Sequence, residues 1–136
     1  MAQAVLQGAT DEDIEGIEVR MLSAMEAGPS DLLWANGVIL GTPENFGYMS
    51  GALKDFFDRT YYPAQPHEIN LPYALFISAG NDGSGAVCQI DRIASGYPLK
   101  KIAPPLIVKG EINRDHLLEC KEFGLSMAAG LAMGIF

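Results

Sequence analysis

The chain has 136 residues, of which 49% are hydrophobic and 19% are charged, so it is a globular domain rather than a disordered segment. Its 17 acidic and 9 basic residues give a formal net charge of −8, and an acidic surface repels the phosphates of nucleic acids. No apolar tract reaches the roughly 20 residues that cross a bilayer, so we expect no membrane partner. The charge argues against a nucleic-acid partner, and the length predicts a single domain over residues 1–136.

The first part of the chain predicts two short helices and two strands. Apolar residues recur at helical spacing over residues 2–6 and stop at Gly8, which indicates a helix that ends there. Apolar and charged residues alternate over residues 17–21, which predicts a strand exposed on one side or lying at an edge. Ser30 is expected to cap a short helix, and the apolar run at residues 38–40 predicts a buried strand.

The rest of the chain continues the alternation of helices and strands. Ser50 is expected to cap a helix whose apolar positions fall on one face: Leu53, Phe56, Phe57 and Thr60. Residues 73–77 and 106–108 predict further buried strands, the second at an edge because two prolines precede it. Ser84 and Asn113 are expected to cap the two remaining helices.

This alternation predicts an α/β fold with a parallel sheet and helices on both faces. In such folds, ligands bind at the carboxyl ends of the strands. Two loops are expected there, at residues 42–51 and 78–84.

Both loops have compositions suited to a flat ligand. Residues 42–51 combine glycine, proline, aromatic and polar residues, and the loop is longer than the roughly 2–6 residues of an ordinary strand-to-helix connection. Residues 78–84 bring glycines to a helix N-terminus, where an anion or a ring edge can approach the backbone. Each loop could also be a plain connection. No catalytic side-chain arrangement stands out, so a bound cofactor would carry any chemistry.

Cysteine and histidine usage predicts no metal site. Cys88 and Cys120 lack metal-ligand and redox spacing, which is typical of buried or half-buried reduced thiols in a cytoplasmic protein. His67 and His116 lie far apart and are expected to have surface or capping roles.

Residues 41–58, which read GTPENFGYMSGALKDFFD, resemble the flavin loop and following helix of flavodoxin-like reductases. The similarity is to NAD(P)H:quinone oxidoreductases of the tryptophan-repressor-binding-protein type and to NADPH-dependent FMN reductases. The resemblance implies a flavodoxin-like three-layer sandwich that passes electrons from NAD(P)H through FMN to a quinone or similar small-molecule acceptor. The cofactor-binding residues that it implies are Thr42, Pro43, Glu44, Asn45, Phe46, Gly47, Ser78, Ala79, Gly80, Asn81, Asp82 and Gly83.

The sequence departs from the family pattern at its N-terminal end. The family's first strand and Ser/Thr-rich phosphate loop have no counterpart, because residues 1–8 already resemble the end of the first helix. We therefore expect a sheet without the first strand and weak or lost FMN binding, with a flavin-free structural or interaction module as the alternative. A third alternative is that the sequence is a shortened reading of a longer gene. The strand at residues 17–21 would pair with residues 38–40, detach, or pair with another chain. An uncovered edge of this kind predicts a homodimer or higher homo-oligomer.

Overall fold

Helices and parallel strands alternate along the chain in the computed structural model, which describes residues 1–97 and 99–136. A short 3₁₀ helix, Gln65–His67, follows the third α-helix. The elements are α1 (Ala2–Ala9), α2 (Pro29–Trp34), β1 (Val38–Pro43), α3 (Gly51–Ala64), β2 (Pro72–Ala79), α4 (Ser84–Gly96), β3 (Lys100–Lys101), β4 (Leu106–Lys109) and α5 (Arg114–Ala132).

Strand β2 is the centre of the sheet. It pairs in parallel with β1 on one side and with β3 and β4 on the other. The register aligns Val38 with Tyr73 and Pro43 with Ser78, so β1 and β2 end side by side. Among the described strands β4 pairs with β2 alone, which confirms its predicted edge position.

Apolar side chains pack on both faces of the sheet. Successive residues of a strand point to opposite faces. Leu40 and Ile77 therefore lie in the larger core with α2, α3 and α4, whereas Ile39 and Phe76 lie in the smaller core with α1 and α5. The result is the predicted three-layer arrangement. All four predicted positions of the α3 face are buried: Leu53, Phe56, Phe57 and Thr60.

Helices α1 and α5 pack backbone against backbone through two glycines. A Cβ atom at Gly8 would overlap the carbonyl oxygen of Lys121, and one at Gly124 would overlap the carbonyl oxygen of Val5. The prediction that α1 ends at Gly8 is wrong by one residue, since the helix continues to Ala9. Gly8 allows close helix packing instead of terminating the helix.

The predicted strand at residues 17–21 does not form. This segment has no ladder partner among the described residues, and a cavity of about 330 Å³ lies between it and β1. The Arg20 guanidinium lies 3.8 Å from the centre of the Trp34 ring, and both side chains line this cavity. Residues 17–21 were expected to pair with residues 38–40, to detach from the sheet, or to pair with another chain. Within this chain they are detached from the sheet. An alternating pattern is insufficient for a strand when no neighbouring strand lies at hydrogen-bonding distance.

Of the four predicted helix caps, Ser50 and Asn113 are confirmed, whereas Ser30 and Ser84 are not N-caps. The Ser50 hydroxyl accepts the Leu53 N–H at 3.3 Å, and the Asn113 side chain accepts the His116 N–H at 3.0 Å. Ser30 does not cap α2. The N-cap is Gly28, whose N–H donates to the Asp31 carboxylate at 3.0 Å. Asp31 lies in the first turn, where its negative charge complements the helix dipole.

The cysteines are both free thiols, but only one of them has the expected burial. Cys88 is exposed, whereas Cys120 is buried and its pKa is raised by that burial. Within residues 1–97 and 99–136, no three potential ligand side chains form a metal-binding group. In the same part of the chain, no helix is both long and apolar enough to span a membrane.

Substituting Gly124 with alanine tests the close packing of α1 on α5. The added methyl group would overlap backbone atoms of α1, and we expect the free energy of unfolding to fall by about 1–3 kcal/mol. Gly51→Ala is the matched control, because its Cβ meets no atom within 4 Å. Urea denaturation of both variants provides the comparison. Equal stability of the two variants would contradict the packing.

Candidate functional site

The two glycine-containing loops leave the sheet at adjacent points. Strands β1 and β2 run parallel, with Thr42 opposite Ile77 and Pro43 opposite Ser78. The Glu44 N–H donates to the Ser78 carbonyl at 2.8 Å and extends this pairing by one residue. Parallel pairing thus brings residues 44–50 and 80–83 to the same edge of the sheet.

The first loop contains a tight turn that displays an aromatic ring. Asn45 and Tyr48 exchange two backbone hydrogen bonds, of 2.8 and 2.9 Å. Between them Phe46 has φ 52° and Gly47 has φ 68°, and positive φ at both central residues is typical of a type I′ turn. A bulky residue adopts this conformation only when its surroundings enforce it. The Phe46 side chain is fully exposed at the tip of the turn.

Buried Thr42 fixes the base of this loop. Its hydroxyl accepts the Ser50 N–H at 2.9 Å and donates to the Pro43 carbonyl, also at 2.9 Å. The hydroxyl therefore joins the end of β1 to the start of α3. Met49 is buried beside them, so both ends of the loop are anchored while its tip stays in solvent.

The second loop has its own capping interactions. Gly83, at φ 76°, is the N-cap of α4, so the expected cap Ser84 is instead the first residue of the helix. The Asp82 carboxylate accepts the Ser84 N–H and the Ser84 hydroxyl, each at 2.9 Å. The hydrogen bond from the Ser84 N–H, and to a smaller extent the one from the Ser84 hydroxyl, lower the pKa of Asp82. The acceptor at this helix start is therefore the Asp82 carboxylate, and the Ser84 side chain is a donor instead of the predicted cap.

The two loops also contact each other directly. The Glu44 carboxylate crosses between them and accepts the Gly83 N–H at 3.3 Å and the Ala86 N–H at 3.0 Å. Gly85 lies so close that a Cβ atom there would overlap the Gly47 carbonyl oxygen. Gly85 and Ala86 were outside the predicted site. The only sequence signal for them was the glycine-rich run itself.

The twelve predicted site residues lie in two groups at the carboxyl ends of β1 and β2. Four of them are strand ends that form a floor: Thr42, Pro43, Ser78 and Ala79. The other eight form the two loops above it: Glu44, Asn45, Phe46, Gly47, Gly80, Asn81, Asp82 and Gly83. None of them lines the cavity of about 330 Å³, which lies on the outer side of β1. The candidate site is therefore an open rim, and its contacts with a cofactor stay a prediction.

The rim presents hydrogen-bond donors that the protein does not use. The backbone N–H groups of Phe46, Gly47 and Asn81 form no hydrogen bond with any described residue. A Cβ atom at Gly47 or Gly80 would meet nothing within 4 Å, so the space beside these backbones is open. Such an arrangement suits a planar molecule with acceptor atoms along one edge.

The chain is similar in sequence to several redox proteins. The family model described as NADPH-dependent FMN reductase matches residues 2–100. A flavodoxin from Aquifex aeolicus is 45% identical over 58 residues, which are 43% of this chain and 30% of that protein. An NAD(P)H dehydrogenase (quinone) from Acidithiobacillus ferrooxidans is 50% identical over 38 residues, 28% of this chain and 19% of that protein. The chain thus spans less than a third of either relative's length.

Solved structures share the fold of this chain. A flavodoxin from the domain Archaea superposes with a TM-score of 0.76 at 20% identity, covering 95% of this chain and 86% of that one. A flavodoxin, WrbA-like protein from Agrobacterium tumefaciens superposes with a TM-score of 0.74 at 19% identity, covering 97% of this chain and 87% of that one. The predicted flavodoxin-like sandwich is confirmed.

Thr42→Val tests the anchoring of the first loop. Valine keeps the shape of the side chain but leaves the Ser50 N–H without its acceptor, and we expect the free energy of unfolding to fall by about 1–3 kcal/mol. Amide hydrogen exchange at Ser50 should accelerate as well. Thr42→Ser keeps the hydroxyl and should keep that amide protected. Equal Ser50 exchange in the two variants would contradict the anchoring role.

Proposed function

The chain belongs to the NADPH-dependent FMN reductase family, and from that premise we propose that it binds FMN at the rim formed by residues 44–47 and 80–83. In this proposal it passes electrons from NAD(P)H through the flavin to a quinone or similar small acceptor. The observation that carries the proposal is the pair of loops at adjacent strand ends, with their unused backbone donors.

The donor set of the rim fits the flavin ring. One edge of the isoalloxazine carries carbonyl oxygens and ring nitrogens that accept hydrogen bonds. The Phe46, Gly47 and Asn81 N–H groups are donors of the required kind on two facing loops. The open space beside Gly47 and Gly80 lets a flat ring approach the backbone without displacing a side chain.

The residues of the chain would hold and orient the ring. Bound FMN would supply the chemistry, by accepting hydride from the nicotinamide and donating electrons to the acceptor. Thr42 and Glu44 fix the loops on which the donors lie, and Phe46 adds an exposed aromatic surface at the rim. Such a site requires no nucleophile. The choice of donor and acceptor is supported by a relative named NAD(P)H dehydrogenase (quinone).

We further propose that FMN affinity is modest, because the rim offers little to a phosphate group. Residues 42–47 and 78–84 contain no lysine or arginine. The N-terminus of α4, where an anion would otherwise be favoured, already receives the carboxylates of Glu44 and Asp82. Binding would then depend mainly on ring contacts.

An FMN titration with a matched pair of variants tests the proposal. We expect the purified chain to quench flavin fluorescence saturably. Gly80→Leu should abolish binding, because a Cβ atom there meets no protein atom within 4 Å and the leucine side chain would occupy the open rim. Gly96→Leu adds the same bulk at another unobstructed glycine, remote from the rim, and should bind as the unmodified chain does.

Oxidation of NADH and NADPH by the FMN-loaded chain, with and without a soluble quinone, then tests the electron transfer. Absence of saturable binding at high FMN would refute the proposal and favour a flavin-free module. Equal binding by Gly80→Leu and Gly96→Leu would place the flavin elsewhere.

We also propose that the outer edge of β1 mediates a homodimer. Residues 38–41 have no ladder partner on that side among the described residues, and uncovered strand edges favour pairing with another chain. Light scattering should then give twice the chain mass of 14.6 kDa, with little dependence on salt because the adjoining surface is largely apolar. A monomer at every salt concentration would contradict this.

A further inference from the structure

We propose that Glu44 is a positioning residue that locks the two loops together and so sets the orientation of the flavin, an inference that rests on the proposed function. The observation is a single side chain from the first loop that hydrogen-bonds the backbone of the second. Its two acceptor atoms bind the Gly83 N–H at 3.3 Å and the Ala86 N–H at 3.0 Å.

The lock joins a strand end to a helix start. Glu44 follows β1 directly, and its N–H is tied to the Ser78 carbonyl at 2.8 Å, so its backbone is fixed to the sheet. Its carboxylate meets the N-terminus of α4, where the helix dipole favours negative charge and hydrogen bonds to an ionised acceptor are strengthened. Close packing of Gly85 on Gly47 adds a second contact between the loops. Two separate contacts fix their spacing.

The other carboxylate of the rim has a different role. Asp82 accepts the N–H and hydroxyl of Ser84, two residues further along the same loop. Its bonds stay within the second loop, whereas those of Glu44 reach 39 and 42 residues along the chain. Among these two carboxylates, the crossing contact belongs to Glu44.

The consequence concerns the unused donors of the rim. Phe46 and Gly47 lie two and three residues after Glu44, and Asn81 lies two residues before Gly83. Releasing the carboxylate would leave the packing of Gly85 on Gly47 as the remaining one of these two contacts, and we expect the first loop then to shift relative to the second. The two groups of donors would then no longer hold a ring in one orientation.

Glu44→Gln tests the lock, because glutamine keeps the size of the side chain but has one acceptor oxygen and no charge. Glu122→Gln makes the same change at an exposed position of α5 and is the control. Without ligand, we expect amide exchange at Gly83 and Ala86 to accelerate about tenfold or more in Glu44→Gln, since roughly 1.4 kcal/mol corresponds to tenfold. The Ser84 amide, held by Asp82, should not change.

With FMN, the Kd of Glu44→Gln should rise about tenfold, and the visible circular dichroism of the saturated complex should change shape. Glu122→Gln should change neither. Glu44→Asp keeps the charge on a shorter side chain and serves as a second variant. We expect its amide exchange and its FMN affinity to lie between those of the unmodified chain and those of Glu44→Gln. A merely structural role would alter stability but not the dichroism of the bound flavin.

Unchanged exchange at Gly83 and Ala86 would overturn the lock. Faster exchange with unchanged Kd and dichroism would overturn the positioning role. Absence of FMN binding to the unmodified chain would refute the proposed function and the positioning role together, while the exchange data would still decide whether the lock exists.

Discussion

Parallel pairing of β1 with β2 is the interaction on which the rest of this structure depends. It aligns Pro43 with Ser78, so two loops that are far apart in sequence begin side by side. The helices that follow, α3 and α4, then pack in the same core on one face of the sheet. The loop interactions of Thr42, Glu44 and Asp82 refine a position that the two strands have already determined.

The two edges of β1 differ strongly in their hydrogen bonding. Its inner edge pairs with β2 along six residue pairs, whereas its outer edge faces a cavity of about 330 Å³ and residues 17–21, which form no strand. The helix layer of α1 and α5 is nevertheless closely packed at Gly8 and Gly124. The sheet and the candidate site are thus built around β2. The unpaired outer edge of β1 and the cavity beside it lie away from the two loops.

The sequence predicted those elements whose signals are local. Apolar runs identified β1, β2 and β4, and the spacing of buried positions identified the inner face of α3. The strand predicted at residues 17–21 failed because pairing depends on a neighbour that a pattern cannot supply. The crossing contact of Glu44 was equally inaccessible, since its partners lie 39 and 42 residues away with no periodic relation. Gly8 was misread because helix termination and close packing both use glycine.

The central claim is that the two loops form one binding site for the flavin ring. Amide chemical shifts of the nitrogen-15-labelled chain during FMN addition test it most directly. The account predicts that perturbations rise together at residues 44–47 and 80–83, with one common saturation curve. Shifts confined to one loop, or concentrated at residues 17–22 and 38–41 around the apolar cavity, would contradict it.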